Sequence, residues 1–149
     1  MTNPFADSRH LMAAYGQPTD GSAVDQFKLY CGLIDEEWRE LNEAMGQLHR
    51  LSRQRPESGY EAAYACDVIQ VSAALAKETM DVIVVLLGML HSMGIDAEEC
   101  WKVVHESNLS KLGPDGRPIY RDDGKVTKGP NYEPPDMISV VTMGWGNAV

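Results

Sequence analysis

Two stretches of this 149-residue chain place carboxylates at spacings that share a helix face. The first is Glu36-Glu37-x-x-Glu40, inside LIDEEWRELNEA (33–44). The second is Glu78-x-x-Asp81, inside KETMDVIVVLLGML (77–90). On a helical wheel advanced about 100° per residue, Leu33, Ile34, Leu41, Ala44 and Leu48 form an apolar stripe. Glu36, Glu37 and Glu40 fall inside that stripe or on its border, whereas Asp35 and Glu43 fall outside it. By the same construction Glu78 and Asp81 lie among Val71, Ala74, Val82, Val85 and Met89. Five acids therefore point at or beside a core. Ionised carboxylates are almost never buried without a partner. Salt bridges to Lys77, Arg39 or a neighbouring subunit are one solution, but the helices hold too few inward cations for five acids. Hard oxygen ligands converging on one place suit Mg²⁺, with Mn²⁺ as a substitute. A di-iron carboxylate bundle would need Glu-x-x-His on two helices. None of His10, His49, His91 and His105 follows an acid by three residues on either acidic helix.

Cations are sparse except toward the C-terminus. Residues 102–128 hold Lys102, Lys111, Arg117, Arg121, Lys125 and Lys128. Asn108 and Lys111 stand at i, i+3, where both can face one ligand. Lys125 and Lys128 are flanked by Gly124 and Gly129. Alone, this is a solvated loop. Beside an acidic metal site it matches a polyphosphate, whose charge needs divalent ions and convergent lysines. No GxxxxGK[ST] is present, so a P-loop is excluded.

The elements that must position these residues are helical. A short helix is expected over Ser8–Tyr15, closed by Gly16, Pro18, Asp20 and Gly21. A long helix follows from about Ser22 to Arg53, then a turn at Pro56, Ser58 and Gly59. The next runs from Tyr60 to Met93, with a break expected near Asp67–Ser72, where β-branched residues gather. Met80–Leu90 is apolar almost all round apart from Asp81, which predicts a central helix. Gly94 is placed to end it, and Asp96 with Glu99 resembles a capping box that starts a helix to about Ser107. Beyond Leu112, prolines and glycines accumulate, and Arg117–Tyr120 with the DDG at 122–124 suggests a hairpin or ordered arm. The expectation is a single all-α domain over 1–149, four-helix-bundle-like, with an irregular C-terminal arm. It divides into an N-terminal segment (1–21), a helical core (22–107) and a phosphate-contacting arm and tail (108–149).

Composition narrows the function classes. Thirteen Lys+Arg against twenty-two Asp+Glu give a net charge of −9, a poor field for nucleic acid or an anionic membrane. The longest apolar run, Val82–Leu90, is far shorter than the roughly 20 residues a membrane helix needs. No signal peptide is visible, and Cys31, Cys66 and Cys100 form no CxxC pair, so a cytoplasmic protein with reduced thiols is expected.

Taken in order, LIDEEWRELNEA (33–44), KETMDVIVVLLGMLHSMGID (77–96), VHESNLSK (104–111) and DGKVTKGPNYEPPD (123–136) resemble the MazG-like all-α nucleoside triphosphate pyrophosphohydrolases. The tail, 123–136, also looks like that of short stand-alone members of the superfamily, including those related to phosphoribosyl-ATP pyrophosphohydrolase. The resemblance implies that Glu37, Glu40, Glu78 and Asp81 hold Mg²⁺. It implies that Glu36 positions or deprotonates the attacking water, a role its neighbour Glu37 could exchange with it. Asn108, Lys111, Lys125 and Lys128 would contact phosphates or sugar, and Tyr132 would close over the nucleotide. The implied reaction is hydrolysis of a nucleoside triphosphate, with dUTP and dGTP as candidates, to monophosphate and pyrophosphate by attack at the α-phosphorus. An alarmone or phosphoribosyl-nucleotide hydrolase and a non-catalytic nucleotide-binding protein are the alternatives. Family members assemble as dimers or dimers of dimers. Trp38, Tyr15, Phe27 and Tyr30 could stack on a base, though core or interface roles weigh more.

Overall fold

The computed structural model describes residues 2–54, 56 and 58–145, without the side chains of Val24 and Trp145. Residues 1 and 146–149, included in the expected domain, lie outside the described residues.

Helix α1 (Pro4–Ala14) begins earlier than its apolar pattern predicts. Asn3 Oδ1 accepts from the Phe5 and Ala6 amides at 3.0 and 3.4 Å. Pro4 follows as the first helical residue, where its missing N–H costs nothing. Helix α2 (Val24–Ser52) and helix α3 (Glu61–Ser92) are the two long elements. A short connection joins them, so they pack as an antiparallel hairpin. Tyr64 Oη closes its turn end by donating to the Leu51 carbonyl at 3.2 Å.

The register of the hairpin is regular. Tyr30 packs on Gly88. About two helical turns further along each helix, Glu37 meets Asp81. Beyond them, Leu51 and Asp67 line one cleft. Leu41 and Ala44 of α2 and Val82 and Val85 of α3 are buried. Each such side chain contributes about 1.5–3 kcal/mol when fully buried, less for alanine. Met12 of α1 joins Tyr30 and Val85 in one core cluster, with Leu33, Ile34 and Met89 against it.

Helix α3 is continuous through Asp67–Ser72, so the expected break does not occur. β-Branched residues lower helix propensity by only tenths of a kcal/mol each, and pairing with α2 outweighs that. Helix α3 packs against α1, α2 and α4, yet one side of its middle stays open, with Met80, Ile83, Val84 and Leu86 exposed.

Gly94 ends α3 at φ +70°. Its amide donates to the His91 carbonyl and the Ile95 amide to that of Leu90, at 2.9 and 3.0 Å. This is the Schellman arrangement, with Ile95 packed beside Leu90. Asp96 Oδ1 then accepts from the Glu98 and Glu99 amides at 3.0 and 3.1 Å and starts helix α4 (Ala97–Leu109). The capping box is one-sided, since Glu99 pairs with Lys102 instead.

The segment after α4 carries more structure than an irregular arm. A small hairpin brings Tyr120 and Val126 together as an antiparallel bridge. A fifth helix, α5 (Met137–Trp145), follows. Asp136 caps it, accepting from the Ser139 amide and hydroxyl at 3.1 and 2.6 Å. Val140 of α5 then completes a second core with Ile95 and Cys100. The fold is all-helical, as expected, with five helices among the described residues. The cysteines are free: Cys100 buried, Cys31 half-buried and Cys66 exposed.

Candidate metal centre

Glu37, Glu78 and Asp81 converge. One carboxylate oxygen from each lies within 4.8 Å of the other two. Glu78 and Asp81 share a face of α3 at i, i+3, and α2 brings Glu37 opposite them. The Glu78 side chain is only 15% exposed and that of Asp81 36%. Burial pushes the Glu37 carboxyl above the ordinary carboxylate range. The nearby charges of Asp81, Glu40 and Glu36 push it further, and Lys77 partly offsets them. Crowded like charges that resist joint ionisation are what a divalent cation relieves. The donors are all hard oxygens, from two facing helices, which fits Mg²⁺ or Mn²⁺ and not a thiolate- or imidazole-seeking metal.

The other two predicted acids are not among the three that converge. Glu36 is exposed, not core-directed. Glu40 is half-buried, one turn along α2, and pairs with Arg39 at 3.7 Å. Arg39 also pairs with Glu43 at 3.1 Å. Both acids remain near enough to Glu37 to raise its pKa.

The salt bridges weighed as the alternative do form, with Arg39 on Glu40 and Lys77 on the two α3 acids. Lys77 Nζ lies 3.1 Å from Glu78 Oε2 and 2.8 Å from Asp81 Oδ2. Hydrogen bonds that it donates to these two carboxylates, Asp81 first, hold its ammonium well above the ordinary lysine range. Lysine one residue before Glu78 and four before Asp81, K-E-x-x-D, sets this geometry.

The predicted phosphate contacts form a second group. Lys111 Nζ donates to Asn108 Oδ1 at 2.6 Å. Lys128 Nζ lies 4.2 Å from the centre of the Tyr132 ring. The Gly129 amide donates to the Lys111 carbonyl at 3.0 Å, and the Tyr132 amide to the Gly129 carbonyl at 3.2 Å. Ser107 Oγ donates to the Glu133 carbonyl at 2.7 Å and fastens the arm to α4. Asn108, Lys111, Lys128 and Tyr132 are thus gathered at the C-terminal end of α4. Lys125 is separate, exposed in the hairpin turn. Among the described residues no hydrogen bond or ion pair links this group to the acidic triad. Of the four aromatics, Tyr30 is core, with its hydroxyl on Gln17 at 2.8 Å. Trp38, Tyr15 and Phe27 are exposed.

A model of the phosphoribosyl-ATP pyrophosphohydrolase family matches residues 14–108, well over half of the chain. The chain belongs to this family. With it the chain falls in the MazG-like all-α pyrophosphohydrolase superfamily, whose members are metal-dependent nucleotide pyrophosphohydrolases. No curated protein matches the sequence. The matched span holds all five acids and Lys77, and ends at Asn108. Lys111, Lys125, Lys128 and Tyr132 lie beyond it. No helix among the described residues is long and apolar enough to cross a membrane.

Proposed function

We propose that this protein hydrolyses a nucleoside triphosphate, with dUTP and dGTP as candidates, to the monophosphate and pyrophosphate, using Mg²⁺ held by Glu37, Glu78 and Asp81. The observation that carries this reading is the convergence of those three carboxylates within 4.8 Å, inside the span that matches a pyrophosphohydrolase family. Glu40 completes the ligand set from one turn away on α2. These carboxylates would hold a divalent ion, which would supply charge neutralisation at the phosphates and a more acidic water. Glu36 stands beside the triad, exposed, and takes the proton of the water that attacks the α-phosphorus. Asn108, Lys111, Lys125 and Lys128 neutralise the departing pyrophosphate, and Tyr132 covers the nucleotide. We assign the whole of 1–149 to one cytoplasmic domain that works as a dimer or dimer of dimers.

A second reading, hydrolysis of phosphoribosyl-ATP, is favoured by the family description itself and uses the same site. The two readings share their bond cleavage and differ in what surrounds the α-phosphate. A panel of dUTP, dGTP, phosphoribosyl-ATP and a guanosine alarmone, with phosphate and pyrophosphate measured separately, separates them. Glu78→Gln and Asp81→Asn are each expected to abolish pyrophosphate release while leaving the helical circular dichroism intact. Unchanged turnover in both removes the metal centre. Saturable nucleotide binding without any product makes the protein a binder.

A further inference from the structure

Lys77 touches the triad without belonging to a ligand set. Its ammonium hydrogen-bonds both α3 carboxylates, at 3.1 and 2.8 Å, and so takes two of the three groups that would hold a metal ion. Among the described residues no other cation makes an ion pair with these three acids. The two ends of this contact differ in burial. The Glu78 side chain is 15% exposed, so its charge is poorly hydrated and needs a counter-charge. The Lys77 side chain is 64% exposed, so its stem runs through solvent and is not locked by packing. A lysine ammonium is a compact point charge on four rotatable carbons. It can leave the carboxylates at small cost in packing.

A divalent ion bonded to Glu78 and Asp81 would face that ammonium across a few ångströms. The two cations repel, and both need the same oxygen lone pairs. We propose that Lys77 is a built-in counter-cation of the triad, which a divalent ion must displace, and that the displaced ammonium then contacts the phosphate chain held by the ion. This rests on reading the triad as a metal centre. Its consequence is coupling: the ion binds weakly to the empty site and better when a polyphosphate accompanies it, because the polyphosphate receives the ammonium that the carboxylates give up.

Mn²⁺ alone, titrated into the metal-stripped full chain and followed by electron paramagnetic resonance, tests the first half. Lys77→Met is expected to bind Mn²⁺ roughly tenfold more tightly than the unaltered protein, the size of one partly screened charge repulsion. Lys28→Met, which removes an equal charge from a pair with Asp25, is expected to change it by less than about twofold. Inorganic pyrophosphate, added with Mn²⁺ in excess, tests the second half. Lys77→Met should bind it roughly tenfold more weakly, and Lys77→Arg should restore much of that affinity. Circular dichroism on each variant, with Lys77→Gln as a second neutral form, controls for folding. Unchanged or weakened Mn²⁺ affinity in both neutral variants overturns the inference, as does tightened Mn²⁺ affinity with undiminished pyrophosphate binding. Either result leaves the metal centre standing if Glu78→Gln abolishes Mn²⁺ binding. Absence of Mn²⁺ binding in the unaltered protein removes the metal centre and the inference together.

Discussion

Glu36 and Glu37 are adjacent on α2, yet one lies open to solvent and the other among three acids. Their substitutions should therefore separate chemistry from metal binding. Glu36→Gln is expected to lower kcat by about 10²–10⁴-fold, the usual worth of a positioned base, while Mn²⁺ affinity stays within about twofold. Glu37→Gln should instead weaken Mn²⁺ binding, read by the same paramagnetic signal. The raised Glu37 pKa adds a pH dependence to the metal-free protein. A carboxyl with a folded pKa above its unfolded value stabilises the fold only while protonated. The contribution of Glu37 to thermal stability in chelator should thus be greatest below the ordinary carboxylate pKa and be lost as pH rises through the shifted one. Glu37→Gln should flatten that fall, and Mn²⁺ should reverse it in the unaltered protein only. At this scale the triad was legible because i, i+3 spacing fixes which acids of one helix are neighbours. The wheel set Glu37 within the apolar stripe and Glu36 about 100° away from Glu37, as their burial bears out; which acid takes which chemical role was not legible there. Salt bridges to Lys77 were weighed as the alternative and do form; that one ammonium reaches both acids depends on side-chain reach, which a wheel does not carry.

The hairpin that brings Glu37 to Asp81 depends on the close approach of α2 and α3 at Tyr30 and Gly88. A Cβ on Gly88 would lie 2.1 Å from Tyr30 Cε1. On an exposed helix glycine-to-alanine gains about 1 kcal/mol. Here overpacking against a buried ring costs about 1–3 kcal/mol and dominates. Gly88→Ala should therefore lower the midpoint of chemical denaturation, and in a Tyr30→Ala background the same substitution should add little further loss, a coupling read by a double-mutant cycle. Helix α1 is held differently. His91, 1% exposed on α3, donates from Nε2 to the Phe5 carbonyl at 3.2 Å. Its Nδ1 accepts from Arg9 Nη2 at 3.5 Å, which fixes the neutral tautomer. Burial, then the Arg9 charge, hold its pKa below the ordinary 6.5. A histidine favoured neutral in the fold stabilises it fully above 6.5, and that contribution is lost as pH falls through the lowered value. Melting temperature should decline below about pH 6.5, and His91→Gln should remove that part of the decline at a cost of about 1–3 kcal/mol. Helix ends governed by local chemistry, Gly94 and Asp96, were readable. The start of α1 and the whole of α5 were obscured by prolines, although Asn3-Pro4 and Asp136-x-x-Ser139 are capping signals in their own right.

Two features of the whole molecule bear on the proposed self-association. The acidic triad and the cations at the end of α4 are not joined by any polar contact among the described residues, yet a polyphosphate needs both. The middle of α3 meanwhile exposes Met80, Ile83 and Leu86, at 54%, 39% and 45%. They line, with Phe5 of α1 and Trp101 of α4, an apolar cavity of about 550 Å³. The Met80–Leu90 pattern predicted a buried helix, and sequence periodicity cannot say whether the burying surface belongs to the same chain or another. The proposed self-association supplies the missing cover, and facing helices of a second copy could bring its arm toward the triad. Ile83→Glu with Leu86→Glu is expected to yield a monomer by light scattering, with helical circular dichroism retained, because both residues are exposed in one chain and their substitution leaves its core intact. Turnover should fall by at least about 10²-fold, the scale at which loss of phosphate positioning is felt, and should not recover at raised protein concentration. A double variant that is monomeric with undiminished turnover would mean that each chain closes its own site. Light scattering that finds the unaltered protein monomeric at catalytic concentrations would remove the assembly altogether, and α3 would then carry its apolar face in water.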